Sequence, residues 1–495
     1  MAILSSVGLL AICLLASYAV SAYRQWSKLS HIPGPRFASI SYLWGAWKAI
    51  RGRSTDYEGL GKYGRLVRVA PNYILTDDPD VIKQVNHARS LARRDDWYNG
   101  ANVEPDKPNL VTTTEIGPHD ELKAKAVHGY NGRDKMDFER SVDLLIAHFI
   151  DILRKRHLSR PGQLNPVDFA LLTRYFTLDV ITEIGFGGKL GFLDSKTDLF
   201  GYTRSVENIA ALVATASDVP ILRRIFTAPV VARFFAPTPK DDFGMGKIMG
   251  IGHGIVHDRF KTGDTSHPDM IGAFMRHGMT EKETQTEIIV QIVAGSDTTA
   301  TAIRSTLLFL MTCPRAYNQI KQVIRDATAS GQASSPITYE EAKKIPYLQG
   351  LIYEGLRMRP PVLYGFYKEI PPSGETINGI KIPGGTGVGW NMPAMMRRHD
   401  IFGQDAQIFR PGRFVECDEA KRLEMIRTVE LVFGHGRWTC AGKKLAIIEL
   451  NKIFFELMRV FDFQVINGTK PIEEEAYTIY VQRDMWISIT EASKN

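Results

Sequence analysis

Met1 to Tyr23 carry no charged side chain and are dominated by Leu, Ile, Val and Ala. A helix needs about 20 apolar residues to cross the hydrocarbon of a bilayer. The run therefore predicts a single-pass transmembrane helix anchoring the chain over 1–23. From Arg24 to Arg53 stand Arg24, Lys28, Arg36, Lys48, Arg51 and Arg53, with no acid among them. Excess positive charge marks the cytosolic side of a span. A cleaved signal peptide would carry its basic residues before a shorter apolar core; here they follow a long one. Pro33-Gly34-Pro35 fixes the backbone and cannot continue a helix. Residues 24–36 thus read as a basic, proline-rich hinge between the anchor and a body of 37–495.

In the body, Leu66–Val69 and Tyr73–Thr76, split by Ala70-Pro71-Asn72, predict a short hairpin. Helical spacing of apolar positions predicts helices over 139–157, 168–186, 203–216, 281–313, 314–330, 339–359 and 442–461. Strands are expected over 375–382 and near the C-terminus. The expected fold class is mainly α with a minor β-sheet. Residues 288–313 are apolar enough to raise a second span. Gln291, Asp297 and Arg304 interrupt them, and polar groups at a span's centre are costly. A long helix through a globular core fits better. No linker, repeat or charge block divides 37–495, so one large domain is expected.

Composition narrows the class. The 495 residues are 44% hydrophobic and 23% charged, which excludes a disordered or fibrous chain. The net charge of +7 suits an anionic membrane surface or an acidic partner, not dedicated nucleic-acid binding. Four cysteines, at 13, 313, 417 and 440, form no CxxC pair and exclude both a disulfide scaffold and a thiolate zinc cluster. The glycines at 244–250 and 434–436 follow no strand of a βαβ unit, so no internal dinucleotide site is expected.

Phe433-Gly434-His435-Gly436-Arg437-Trp438-Thr439-Cys440-Ala441-Gly442 carries the chemistry. Its glycines permit tight turns and close approach of the backbone. An amphipathic helix follows, so Cys440 sits just before a helix N-terminus, where the dipole favours thiolate. A thiolate in a glycine-lined loop is what an axial haem ligand requires. Cys13, Cys313 and Cys417 keep the ordinary reading of a small apolar residue. Glu354 and Arg357, at i and i+3, share one helix face before Pro360-Pro361. Asp297 and Thr298 place an acid beside an alcohol in mid-helix, where Gly295 and the hydroxyl disfavour regular helix. Such a pair suits proton transfer. His119, Lys123 and Lys125 lie on a charged helix.

Together these segments resemble the cytochrome P450 family of haem-thiolate monooxygenases over nearly the whole chain. The family's signature has Phe, Gly, Cys and Gly where this chain has Phe433, Gly436, Cys440 and Gly442. The signature Arg, which pairs with a haem propionate, is replaced by Trp438, with Arg437 one position earlier. Either Arg437 reaches the propionate by another path or the Trp438 indole N–H substitutes. That shift, with Lys443, resembles the fungal subgroup typified by pisatin demethylase.

The resemblance implies a cytochrome P450 fold and haem b (iron protoporphyrin IX). Cys440 is the expected iron ligand, in a loop with Phe433. His119, Lys123, Lys125 and Lys368 are expected toward the propionates; a lysine makes one point contact where an arginine makes a fork. Asp297 and Thr298 are the expected catalytic proton donors. Glu354, Arg357 and Arg413 would lock the cysteine loop; Gly412 stands where the family commonly has Glu. Electrons are expected from NADPH through a separate NADPH–cytochrome P450 reductase, with cytochrome b5 as a second donor. Lys443, Lys444, Lys123 and Lys125 would form a basic face for it. O2 and a lipophilic small molecule are the expected co-substrates, the latter a fungal secondary metabolite such as a terpenoid or polyketide. Its pocket would draw on 97–118, 197–245, 287–295, 362–367 and 475–481, with Ile288, Val293, Val362, Leu363 and Phe366 making it apolar. The expected location is the endoplasmic reticulum membrane, facing the cytosol. Two rivals are a haem-thiolate isomerase or dehydratase that uses no O2, and a non-catalytic haem-binding sensor. Asp297 and Thr298 weigh against the first, an open distal pocket against the second.

Overall fold

A computed structural model describes residues 2–102, 104, 109–132, 134–195 and 197–493, without the side chains of 2–11, 14 and 25. Met1, about half of the expected anchor's side chains, and residues 103 and 105–108 of the expected pocket segment 97–118 therefore lie outside what is described. The backbone of Ala2–Lys28 is helical. Among the described residues no helix is long and apolar enough to cross a membrane. The proline segment docks on the body: the Arg68 N–H donates to Pro33 O at 2.8 Å, and its guanidinium to Trp26 O at 2.9 Å.

Helices dominate, and their largest buried core gathers around Glu281–Met311, hereafter the central helix. Its start is fixed locally. Thr280 Oγ1 accepts from the Glu283 N–H at 3.2 Å while Glu283 Oε2 accepts from the Thr280 N–H at 2.7 Å, a reciprocal cap. The expected irregularity at Gly295–Thr298 is absent. Ser296 and Thr298 donate their hydroxyls to Ile292 O and Ala294 O at 2.7 and 2.8 Å, inside an unbroken helix. The missing side chain of Gly295 serves packing instead. A Cβ there would lie 3.2 Å from Ile181 of the neighbouring helix Phe169–Phe186.

The segment 339–359 is two helices, Tyr339–Ala342 and Pro346–Met358. Pro346 supplies no N–H and pushes Ile345 out of the helical region. The helix Gly244–Thr262 was not expected: five glycines lower its propensity, and burial of Met245, Ile248, Met249 and Val256 overrides them.

Beside the helices lies a sheet in the order Leu66–Ala70, Tyr73–Thr76, Gly387–Asn391, Tyr364–Glu369, Arg93–Arg94. The first pair is the expected hairpin. A second hairpin, Glu375–Ile377 with Ile380–Ile382, falls where strands were expected. The C-terminal strands Phe461–Val465, Glu473–Ala476, Tyr480–Arg483 and Trp486–Glu491 complete the minor β component.

The Glu354 carboxylate takes Arg357 at 2.7 and 2.8 Å and Arg413 at 3.1 Å, all three fully buried. The two guanidiniums also donate to the carbonyls of Met396, Phe402, Asp405, Ala406 and Ile408. They fasten the irregular stretch 396–413 that leads toward the cysteine segment.

Candidate active site

The cysteine segment closes on itself. The Cys440 N–H donates to Phe433 O at 2.7 Å, and Thr439 Oγ1 donates to Gly436 O at 2.8 Å. Gly434 and Gly436 adopt φ of 75° and 58°, the left-handed region. A Cβ on Gly436 would sit 2.2 Å from Asn86 O, so this loop packs without side chain against the helix Pro79–Asn86. Lys123 holds the loop from outside, its Nζ donating to Arg437 O at 2.5 Å and Thr439 O at 3.5 Å.

Cys440 stands three residues before the helix Lys443–Val460. Its side chain is exposed by area, yet burial pushes its thiol pKa up. Both hold for an atom on the floor of an internal cavity, open on one side and surrounded by protein on the others. The N–H groups of Gly442 and Lys443 and the charges of Lys123 and Lys443 act the other way, and desolvation outweighs them. The expected thiolate preference of the free side chain is therefore not met; a metal bound to the sulfur supplies it, since coordination deprotonates a thiol. The central helix also borders open space. Ala294 is exposed and Thr298 half-buried, one turn apart, while Ser296 and Asp297 between them, and Ile292 before them, are buried.

Beside the loop lies a buried group of cations. Arg94 and Lys368 face each other in register across antiparallel strands, 8% and 1% exposed. Like charges so placed repel. Both stack near Trp438, Arg94 at 4.6 Å and Lys368 at 5.6 Å from its ring centroid. None of Arg94, Lys123 and Lys368 forms an ion pair with a described carboxylate. Burial, then the neighbouring Arg94 charge, holds Lys368 well below the usual lysine pKa and lowers Lys123. The Trp438 Nε1 and Arg94 Nε hydrogens are buried without acceptors. His119 packs 4.3 Å from the Trp438 ring; burial and Arg94 push its pKa down to about 3, so it is neutral near pH 7. This is a donor set that lacks its anion.

The sequence profile described as Cytochrome P450 matches residues 60–483. The chain belongs to the cytochrome P450 family. The "Cytochrome P450 monooxygenase ABA1" of Pyricularia oryzae is 41% identical over 497 residues, covering 98% of this chain and 96% of that protein. The "Cytochrome P450 monooxygenase aba1" of Botryotinia fuckeliana is 40% identical over 470 residues, 94% and 92% of the two chains. The "Cytochrome P450 monooxygenase abl1" of Leptosphaeria maculans is 39% identical over 466 residues, 92% and 82%. The protein is thus a monooxygenase of this P450 family, whose cofactor is haem.

The residues fit that cofactor. Haem carries two propionate carboxylates, and the unpartnered N–H of Trp438 lies among Arg94, Lys368 and Lys123, cations with no acid of their own. Cys440 supplies a sulfur in the same loop as Trp438. Of the sequence's candidates, the structure brings together Cys440, Trp438, His119, Lys123 and Lys368, with Phe433 closing the loop. Two fall outside. Arg437 donates outward to Asp120 at 2.9 Å and Ser90 O at 3.0 Å, so Trp438, not Arg437, takes the inner place. Lys125 pairs with Glu283 at 3.2 Å and Glu121 at 3.4 Å. Two residues from Lys123 on one helix, it points to another face, because i and i+2 do not share a side.

Sequence reasoning missed Arg94. Its signal was the pair Arg93-Arg94: in a strand, neighbours point to opposite sides. Arg93 meets Glu369 and Glu115, and Arg94 turns inward. A register shift between Gly365 and Lys368, with φ of 51° at Phe366, marks an irregular strand just before Lys368. Asp297 is also tied more closely than expected. Its Oδ1 accepts from Arg174 Nε at 2.6 Å and stands 3.9 Å from Arg304. Ile288 and Leu363 are fully buried in the core rather than lining a pocket; Val293, Val362 and Phe366 are part-exposed.

Proposed function

We propose that this P450 is a membrane-anchored haem-thiolate monooxygenase that oxidises a lipophilic small molecule of fungal secondary metabolism, of terpenoid or polyketide type. Electrons come from NADPH through a separate reductase, and the catalytic body, 37–495, faces the cytosol from the endoplasmic reticulum. The uncharged run 1–23 and the basic residues 24–53 support the anchor and its orientation. Fungal relatives similar over most of the chain support the organismal setting. The part-exposed Val293, Val362 and Phe366 support an apolar pocket.

The observation that carries the chemistry is Cys440: an exposed cysteine in the loop that carries Trp438, beside cations that form no ion pair among the described residues. Haem bound there would supply dioxygen activation, held through the Cys440 sulfur. Trp438, Arg94, Lys368 and Lys123 would hold its carboxylates. The Thr298 hydroxyl, which donates to Ala294 O at 2.8 Å, can turn into the neighbouring open space and hold a water or proton there. Asp297, adjacent in sequence, would replenish that proton. The cations named for a reductase face are largely engaged: Lys443 pairs with Glu430 at 3.1 Å and Lys444 donates to Asn131 O at 2.8 Å. Docking there would rest on shape more than on free charge, and reduction would be only weakly salt-dependent.

The test is the carbon-monoxide difference spectrum of reduced protein, wild type beside Cys440→Ser. A strongly red-shifted Soret band in wild type alone is expected. An unshifted band in folded, haem-loaded wild type removes Cys440 as ligand and the proposal with it.

A further inference from the structure

The structure assigns a line of aromatic rings, Tyr98, Trp97, Tyr367, Tyr73 and Tyr42, the role of an electron relay between the cofactor side and the protein surface. When dioxygen is reduced at the site and no substrate takes up the oxidation, the relay supplies the missing electron and spares the protein around the cysteine loop. This rests on haem occupying the site beside Trp438, as proposed above.

The rings belong to a cluster of the core apart from the main one. Among the described residues its buried members include Trp97 and six tyrosines but no phenylalanine, although the chain has 24 Phe and 18 Tyr. Packing alone does not ask for this, since a buried phenol must find a partner for its hydroxyl. Ring centroids follow one another at 5.4 Å from Tyr98 to Trp97, 5.8 Å to Tyr367, 4.3 Å to Tyr73 and 6.2 Å to Tyr42. These are the separations of aromatic rings in direct contact. At the inner end the Arg94 guanidinium lies 5.0 Å from the Tyr98 ring and 4.6 Å from the Trp438 ring, and Lys368 Nζ donates to the Tyr98 hydroxyl at 2.8 Å. Tyr98 and Trp438 thus share the same cations. At the outer end Tyr42 is half-buried, just before the helix Leu43–Ile50.

Two buried carboxylates stand where oxidised rings release protons. Tyr73 donates its hydroxyl to Asp95 Oδ1 at 2.8 Å, and Trp97 donates its Nε1–H to Asp218 Oδ1 at 2.8 Å. Neither acid forms an ion pair among the described residues. Asp95 also caps the turn that follows, accepting from the Trp97 backbone N–H at 2.7 Å. Asp218 ends the helix Tyr202–Asp218, where the dipole disfavours an anion, so helix stability does not explain it. Trp97 and Tyr73, each with an acid for its proton, are therefore the stations, and Tyr98 and Tyr367 bridge between them. Electrons move inward one at a time. Trp97 gives an electron through Tyr98 to the cofactor, and its N–H proton passes to Asp218. Tyr73 then gives an electron through Tyr367 to Trp97, which regains its proton from Asp218. The Tyr73 O–H proton passes to Asp95, leaving a neutral tyrosyl radical. An electron from Tyr42 and the proton on Asp95 restore Tyr73. Tyr42 loses its own proton to solvent and is restored by a soluble one-electron reductant such as ascorbate, with a proton from solvent. The net change is one electron from the reductant to the cofactor.

The experiment uses haem-loaded, ferric, full-length protein, mixed with hydrogen peroxide as oxidant, without substrate, and frozen rapidly for electron paramagnetic resonance. A matched sample contains a nitroso spin trap, and the trapped residue is located by peptide mass. Wild type is expected to give an organic radical whose spectrum narrows in protein grown on ring-deuterated tyrosine, with the trap on Tyr42. Ascorbate should abolish both. Tyr73→Phe should lose the Tyr42 adduct and leave the radical on Trp97. Asp95→Asn keeps an oxygen for the Tyr73 hydroxyl and for the cap, but cannot take up the proton. It too should lose the Tyr42 adduct, whereas a purely structural role for Asp95 leaves the adduct in place. Tyr42 unmarked in wild type, or marked as in wild type in either variant, overturns the relay. The carbon-monoxide spectrum of the same preparation separates the two readings. A red-shifted band with Tyr42 unmarked removes the relay alone. An unshifted band removes the haem-thiolate reading, and the trap on Tyr42 still decides the relay, because peroxide oxidises bound haem whatever its axial ligand.

Discussion

Arg94 and Lys368 stand opposite each other across two antiparallel strands, both buried, and neither forms an ion pair among the described residues. Folding alone would disfavour this arrangement, since buried like charges cost free energy that pairing normally offsets. An arriving dianion removes the conflict. Arg94→Leu is therefore expected to act in opposite directions on the two forms. The haem-free protein should gain thermal stability, while haem should leave the loaded protein roughly ten- to a hundred-fold faster, from a lost charged hydrogen bond of about 1.5–3 kcal/mol. Haem transfer to an excess of apomyoglobin measures the second effect. Unchanged transfer would place Arg94 outside the cofactor site.

Glu354 answers two guanidiniums that are themselves buried. Removing it takes the carboxylate from Arg357 and leaves Arg413 with Asp405 alone, and breaking such a group costs about 3–5 kcal/mol. Glu354→Ala should give little haem-loaded protein and a sharply lower thermal midpoint. A variant that melts with wild type would show the triad to be dispensable.

Glu449 is the contrary case, an acid with no partner among the described residues. It lies 3% exposed in the helix that follows the cysteine loop, and burial alone raises its pKa well above the usual value. The folded state therefore binds its proton more tightly than the unfolded state. Its effect on stability is absent below the unfolded value of about 4.3. It becomes a growing penalty as pH rises from there toward the raised folded value. Glu449→Gln should be more stable near pH 7 by about 1–3 kcal/mol, with the gain vanishing near pH 4. Urea unfolding across that range would show it; a gain independent of pH would mean that charge is not the cause.

Asp218 joins segments far apart in sequence. It accepts from Trp97 Nε1 at 2.8 Å and the Tyr364 hydroxyl at 2.7 Å, and burial raises its pKa to about 6. Tyr57, Tyr364, Tyr367 and the more distant Arg223 are titratable groups around it. Indole emission should therefore change with a midpoint near pH 6, and Asp218→Asn should lose that transition. Persistence of the step in Asp218→Asn would assign it to another group.

How much of this was legible beforehand depended on the range of each interaction. Cys440, its glycines and the following helix are neighbours in the chain, so spacing alone placed the sulfur at a helix start. Glu354 and Arg357 are one turn apart, so helical geometry alone placed them together. The central helix was read from its apolar period, while its expected kink was not met because hydroxyl-to-carbonyl bonds fit within the regular helix. The segment 339–359 was read as one helix although Pro346 marked the break.

The sequence by itself determined the P450 class and the mainly helical fold and singled out Cys440 as the candidate sulfur, because the motifs and periods that carry them join residues a few positions apart. Tertiary structure alone decided that Arg94 joins the cations around Trp438, that Arg437 and Lys125 leave them, and that Arg174 links Asp297 to Glu207. Those outcomes depend on which faces of separate strands and helices meet. A side chain's charge says that it needs a partner; only the packed fold says which partner comes within reach.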